Sequence, residues 1–381
     1  MTKRIVLALG VACVAALIFG CSSKSGQTAS QQVSNKLGPG EFKIGIMTGT
    51  VSQGEEDFRG GEQVERKYPG RVKHVTYPDN FSSELETVVA QLTGLAADPA
   101  VKVIIVGQAI PGSVTAARKI REMRPDILIG FIGPHEDPDV VNAACDLATQ
   151  PDQIARGVTI IATAQQMGAR NFVHYSFPRH MSQLLLAQRR DIMKKECEKR
   201  GMHFYFVTAP DPTAEGGLPA AQQFILEDIP RELAKLGPAT AFYSTNDGMQ
   251  EPMIKAILTA KAGYFVEQDV PAPTAGYPGA LGIKIPPDKA GDMTFINAEN
   301  KRQIAERGMS GHFGTWSQPI DMVCIRAFTD LLVDAVDHKA DYHDSTTVQR
   351  YLEKEAGGPV RMRKYDPKGN QWLVVLDHVT Y

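Results

Sequence analysis

Three observations predict an α/β protein of two doubly wound parallel-sheet lobes, joined by a hinge and facing one another across a ligand cleft. From Glu41 onward short apolar runs alternate with helical stretches, the alternation breaks near 146–151, and a long amphipathic helix follows the second series. Strands alternating with helices of 10 to 20 residues imply parallel sheets with right-handed crossovers.

The runs FKIGIM, RVKHVTY, VKVIIVG and ILIGFIG supply the strands of the first lobe, and NFVHYSF, HFYFVTA and TAFYST those of the second. Helical patterns occupy 83–98, 113–123, 152–167 and 181–200. In the third of these, Ile154, Val158 and Ile161 keep one face and Gly168 follows as a stop. The helix over 320–336 carries Ile320, Cys324, Phe328, Leu331 and Ala335 on one side. Asp366-Pro-Lys-Gly-Asn370 is a turn before a last strand over 372–376.

The chain has 381 residues, 43% hydrophobic and 22% charged, proportions that exclude collagen-like, disulfide-scaffold and wholly disordered classes. A formal net charge of -2 with no dense Lys/Arg cluster argues against a nucleic-acid partner. Lys3 and Arg4 precede an apolar run over 5–19, which is too short to span a bilayer and reads as an export signal occupying 1–20. Its end, Ile18-Phe-Gly-Cys21, resembles a lipobox, which implies diacylglycerol on the Cys21 sulfur; Phe19 departs from the usual small or β-branched choice, and an ordinary signal peptide is the alternative. Removing the leader takes away Lys3 and Arg4 and leaves the mature chain two charges more negative. The Ser/Gln/Gly-rich stretch 22–40 reads as a tether that holds the globular part about 25 Å from its anchor. Cys145, Cys197 and Cys324 remain in the body and allow at most one bridge; buried free thiols are the simpler reading.

FKIGIMTGTVSQGEEDFRGGEQ is similar to the first strand, binding loop and first helix of the type 1 periplasmic solute-binding proteins. AFYSTNDGMQEPMIKAI resembles their second-lobe strand, Asn-Asp turn and helix, and GHFGTWSQPIDMVCIRAFTDLL their final crossover, with Gln318-Pro319 near the hinge. Each motif alone is weak; their order and spacing carry the resemblance, which covers nearly all of the mature chain and points to an uncharacterised lipoprotein branch. It implies a first lobe of 41–148 plus 318–381, a second of 149–317, hinge strands near 146–151, 277–281 and 315–319, and a two-lobed binder for a small polar ligand, such as a sugar or nucleoside, that serves an ABC transporter permease as a monomer. Alternatives are a ligand-sensing module that docks to a membrane receptor, or a lipid-anchored hydrolase.

In open parallel sheets ligands sit beyond the carboxyl ends of the strands, which selects the candidate binding residues. After the first strand these are Thr48, Gly49 and Ser52, with Phe58 on the following helix; Ser52 with Glu55 could equally form a capping box. Gln108 ends the third strand and His135 follows the fourth. Tyr175, Ser176 and Arg179 end the first strand of the second lobe, where the Arg179 fork suits a carboxylate or sugar hydroxyls unless it forms a salt bridge. Asn246 and Asp247 end TAFYST and could instead cap the helix that starts near Glu251. Trp316 and Gln318 complete the set, Trp316 as the aromatic face for stacking.

His135-Glu-Asp-Pro-Asp139 crowds its carboxylates into one loop without a partner His at helical spacing, so no metal is expected there. No G-x-S-x-G, H-E-x-x-H or phosphate-loop motif occurs, and Gly38, Gly40 and Gly45 lie before or within the first strand. Neither catalytic residues nor a cofactor are assigned.

Overall fold

The first sheet forms where the sequence places its longest apolar runs. The computed structural model describes residues 41–381. The signal, the lipobox at Cys21 and the tether lie outside the described residues. In the first lobe β1 (Lys43–Thr48), β2 (Val72–Thr76), β3 (Val101–Val106), β4 (Leu128–Ile132) and β5 (Leu147–Pro151) run parallel. Successive side chains of β1 and β3 enter opposite layers: Ile44, Ile46, Val103 and Ile105 join one core, and Met47, Ile104 and Val106 the other. Burial on both faces is why these strands read as unbroken apolar runs.

The helix Ile320–Val336 covers one face and is buried almost along its whole length. Phe328, Leu331 and Leu332 pack there with Ile44 and Ile105, each contributing about 1.5–3 kcal/mol on burial. Helices Leu85–Ala96 and Ser113–Met123 cover the other face through Leu92, Leu95, Val114 and Ile120.

In the second lobe β6 (Asn171–Ser176), β7 (His203–Thr208), β8 (Thr240–Ser244) and β9 (Tyr264–Phe265) form a parallel sheet in the order β7-β6-β8-β9. The helix Gln153–Met167, whose N-terminus is capped by Asp152 through the N–H groups of Ile154 and Ala155, packs on one face, and Gly168 ends it in the left-handed conformation.

Four later strands tie the lobes together. β10 (Gly314–Trp316) is followed by β11 (Arg361–Lys364) and β12 (Gln371–Val375), an antiparallel hairpin that completes the first sheet in the order β11-β12-β5-β4-β3-β1-β2. β13 (His378–Thr380) then returns to pair with β10.

One expectation needs correction. The hinge strand expected over 277–281 is a short helix, Tyr277–Leu281, inside the second lobe; Tyr277 is fully buried and donates its hydroxyl to the Gly314 carbonyl at 2.7 Å. The chain crosses instead after β5, between β10 and the helix at Ile320, and between β12 and β13. The stretch 146–151 does carry a strand: Leu147–Pro151 is buried and pairs with β4 and β12. Cys145, Cys197 and Cys324 are free and buried.

Candidate functional site

The carboxyl ends of both sheets open on one cleft with a cavity volume of about 140 Å³. Loops after β3 and β4 bring Gln108 and His135 from one side, and loops after β6 and β8 bring Arg179, His180, Asn246 and Asp247 from the other. Asp269, after β9, and Asp321, in the first turn of the helix Ile320–Val336, close the floor.

Backbone geometry fixes the first-lobe loops. The Ala109 N–H donates to the Ile132 carbonyl and the His135 N–H to the Ala109 carbonyl, each at 3.0 Å, which ties the loops after β3 and β4 together. Between them Gln108 takes φ 42°, a left-handed conformation that a residue with a side chain adopts at a cost. Gly54 leaves the space Gln108 needs: a Cβ there would lie 2.8 Å from the Gln108 Nε2 and 2.9 Å from the Asp57 Oδ2. Asp57 thus stands directly behind Gln108, 1% exposed, with neither carboxylate oxygen hydrogen-bonded.

The electrostatics of the floor are lopsided. Burial pushes the Asp57 carboxyl well above the usual range, and Asp321, Glu56 and Asp247 push it further. Burial likewise raises Asp321 to about 7, with Glu56 and Asp269 adding to the shift. Asp247 rises through burial and then through Asp269, and its Oδ1 is shielded and unpartnered. Asp269 behaves oppositely: burial works against its charge, but the guanidinium groups of Arg189 and Arg156 more than offset that. Arg189 donates to Asp269 Oδ1 at 2.5 Å, while Arg156 donates to Glu267 at 2.8 Å and to the Asp269 carbonyl at 2.6 Å. His135 and His180 are neutral, since burial lowers them to about 3 and about 4.

The structure brings together six of the residues proposed from sequence: Ser52, Gln108, His135, Arg179, Asn246 and Asp247 all line the cleft. Arg179 is also half of a two-pronged ion pair, donating to Asp211 from Nε at 2.8 Å and from Nη2 at 3.0 Å. Asn246 caps as well as lines, its Oδ1 accepting the Gly248 N–H at 2.9 Å. Ser52 does not form the capping box with Glu55; its hydroxyl meets Thr50 and Asp79 instead.

The remaining candidates sit behind the wall. Thr48 is buried against His74 at 2.8 Å, and Phe58 lies against the same imidazole. A Cβ on Gly49 would meet the Tyr77 hydroxyl at 2.8 Å. Tyr175 donates to Asp228 inside the second core, and Ser176 pairs with Thr245 at 2.6 Å. Trp316 is 2% exposed and donates its indole N–H to Glu267 at 3.1 Å, which makes it part of the crossing between lobes. Gln318 is half-buried at the same crossing. Sequence reasoning missed Asp57, His180, Asp269 and Asp321; Asp321 follows the Gln-Pro step by two residues, a signal that could have pointed to it.

Among solved structures, a protein from Clostridium difficile 630 named as a candidate transcriptional regulator superposes with a TM-score of 0.75 at 24% identity, covering 90% of this chain and 99% of that one. A periplasmic solute-binding protein of an ABC transporter from Actinobacillus succinogenes 130z, with bound D-allose, gives a TM-score of 0.52 at 13% identity over 79% of this chain and 93% of its own. These likenesses show the fold of the type 1 periplasmic binding proteins. An uncharacterized protein of Treponema pallidum (strain Nichols) is 34% identical over 220 residues, 56% of this chain and 98% of the relative. Residues 42–314 match the model of a family described as a protein of unknown function, DUF3798, and the chain belongs to that family.

Proposed function

We propose that this protein is an exported, lipid-anchored solute-binding protein that captures a small polar ligand between its lobes and presents it to an ABC importer. The observation that carries this reading is the cleft itself. It lies at the carboxyl ends of both parallel sheets, and its walls hold polar atoms shielded from water yet without partners, among them Asp247 Oδ1, His135 Nδ1 and His180 Nδ1. Shielded polar groups are costly unless something satisfies them, and a ligand enclosed by the lobes would do so. The Actinobacillus likeness supports the same reading by fold, and the leader and Cys21 in the sequence supply the export and anchoring.

The likeness to the Clostridium protein favours a second reading, in which the same cleft senses a ligand and the liganded form docks to a receptor rather than a permease. Native mass spectrometry of gently purified protein tests ligand capture: a co-purified small molecule of fixed mass supports it, and turnover of substrate without retained ligand would replace it with an enzyme. Crosslinking in the native membrane then separates the two readings by the partner recovered.

A further inference from the structure

The cleft's charge is not balanced by its own residues. Asp321 is 2% exposed, lines the cleft, and accepts no hydrogen bond among the described residues. Asp247 faces it with a shielded, unpartnered Oδ1, and Asp57 stands behind Gln108 with both oxygens unpartnered. Glu56 lies outside the cleft lining, held by the Thr274 hydroxyl at 2.6 Å, and adds a fourth carboxylate within electrostatic reach of Asp57 and Asp321.

The nearby cations are already engaged. Arg156 and Arg189 are bound to Glu267 and Asp269, and Arg179 is held by Asp211. Among the described residues no lysine or arginine forms an ion pair with Asp57, Asp247 or Asp321, and the cleft histidines are neutral. A neutral polyol would satisfy hydrogen bonds here but leave these carboxyls either repelling one another or holding protons they would give up in water; a cation lets them ionise and pairs with the charge. Among the described residues, no group of three or more His, Cys, Asp or Glu side chains is arranged to hold a metal ion. This leaves an organic cation.

Resting on the solute-binding reading above, we propose that the captured solute carries a protonated amine, which docks between Asp321 and Asp247. The part of the solute away from the amine faces His135, His180 and Arg179.

The test uses the full chain and pairs of probes that differ in the amine alone: D-glucosamine and D-glucose, D-galactosamine and D-galactose, 1,4-diaminobutane and 1,4-butanediol. Thermal shift and titration calorimetry are run at pH 7, with calcium, magnesium and zinc as separate arms. At least one amine should raise the melting temperature and bind at least tenfold more tightly than its neutral counterpart. Asp321→Asn, which keeps the side chain's size, should erase at least tenfold of that preference. Native mass spectrometry of each variant confirms that it is folded. Neutral probes binding as well as the amines would overturn the amine and leave solute capture standing. So would a metal ion alone producing the shift, or Asp321→Asn binding the amine within twofold of wild type. If no probe binds and no small molecule co-purifies, solute capture falls as well.

Discussion

Arg156, wholly buried, donates to the Glu267 carboxylate at 2.8 Å, and the second oxygen of that carboxylate accepts the Trp316 indole N–H at 3.1 Å. One side chain therefore holds together the start of the helix Gln153–Met167, the segment after β9 and the strand β10. The two crossings that these segments flank are linked through the Glu267 carboxylate, which is bound to both Arg156 and Trp316.

Removing one member of a buried pair strands the other's charge, which costs about 3–5 kcal/mol, whereas removing both can cost little. Glu267→Ala should lower the urea midpoint accordingly. The double variant Arg156→Met/Glu267→Leu should lose less than the two single changes added together. Additive losses would show that the two residues stabilise the protein separately.

Asp321 gives a pH dependence with a definite sign. Its pKa in the fold is about 7, above the unfolded carboxylate value, so the native state binds the extra proton between them. That contribution to stability is present at low pH and is lost as pH rises through about 7. Asp57, Asp247 and Glu56 shift in the same direction, while Asp269, held by Arg189 and Arg156, opposes them. Without ligand, Asp321→Asn should therefore gain melting temperature over wild type between pH 5 and pH 8, by a few degrees in calorimetry. A gap between variant and wild type that is flat across this range would contradict the buried, unpaired carboxylate.

Arg179 and Asp247 separate binding from stability. The Arg179–Asp211 pair is partly solvated, so Arg179→Ala should cost at most about 1 kcal/mol of stability. With the captured ligand in hand, Arg179→Ala and Asp247→Ala should each weaken affinity at least tenfold, as losing a charge-assisted hydrogen bond does. Affinity within twofold of wild type in both variants would move the site to other loops.

The left-handed Gln108 predicts a trade. Gln108→Gly relieves a backbone conformation that costs about 1 kcal/mol or more and removes the amide from the cleft. The variant should melt at or above the wild-type temperature while losing affinity. A clear drop in melting temperature would mean that the amide, rather than the backbone, dominates at this position.

Sequence legibility followed the range of the interactions involved. The helices Ser113–Met123 and Ile320–Val336 are readable because their apolar faces repeat locally, and Gln108, Asn246 and Asp247 because each ends an obvious strand. A strand near 146–151 is legible, but its place inside the first sheet is not, because the outer partner of Thr149, Gln150 and Pro151 is β12, far along the chain. Asp57 and Asp321 sit in helical stretches where a carboxylate ordinarily faces water; only the folded packing of Gly54, Gln108 and the helix at Ile320 buries them. Trp316 looked like a stacking platform because it follows glycine and threonine, yet its indole is committed to Glu267, a partner reached only through the fold.

The placement of β12 governs the order of assembly. Leu147–Pro151 finds its outer neighbour only in Gln371–Val375, after the whole second lobe has been made. Until then one side of β5 presents unpaired backbone N–H and C=O groups, a template for pairing with other chains. The first lobe therefore cannot be completed until nearly the whole chain has been made, although its synthesis begins first, and its folding depends on non-local contacts. A nascent or truncated chain ending before Gln371 would carry that open edge, so protection from aggregation until synthesis is finished is built into the requirements of this topology.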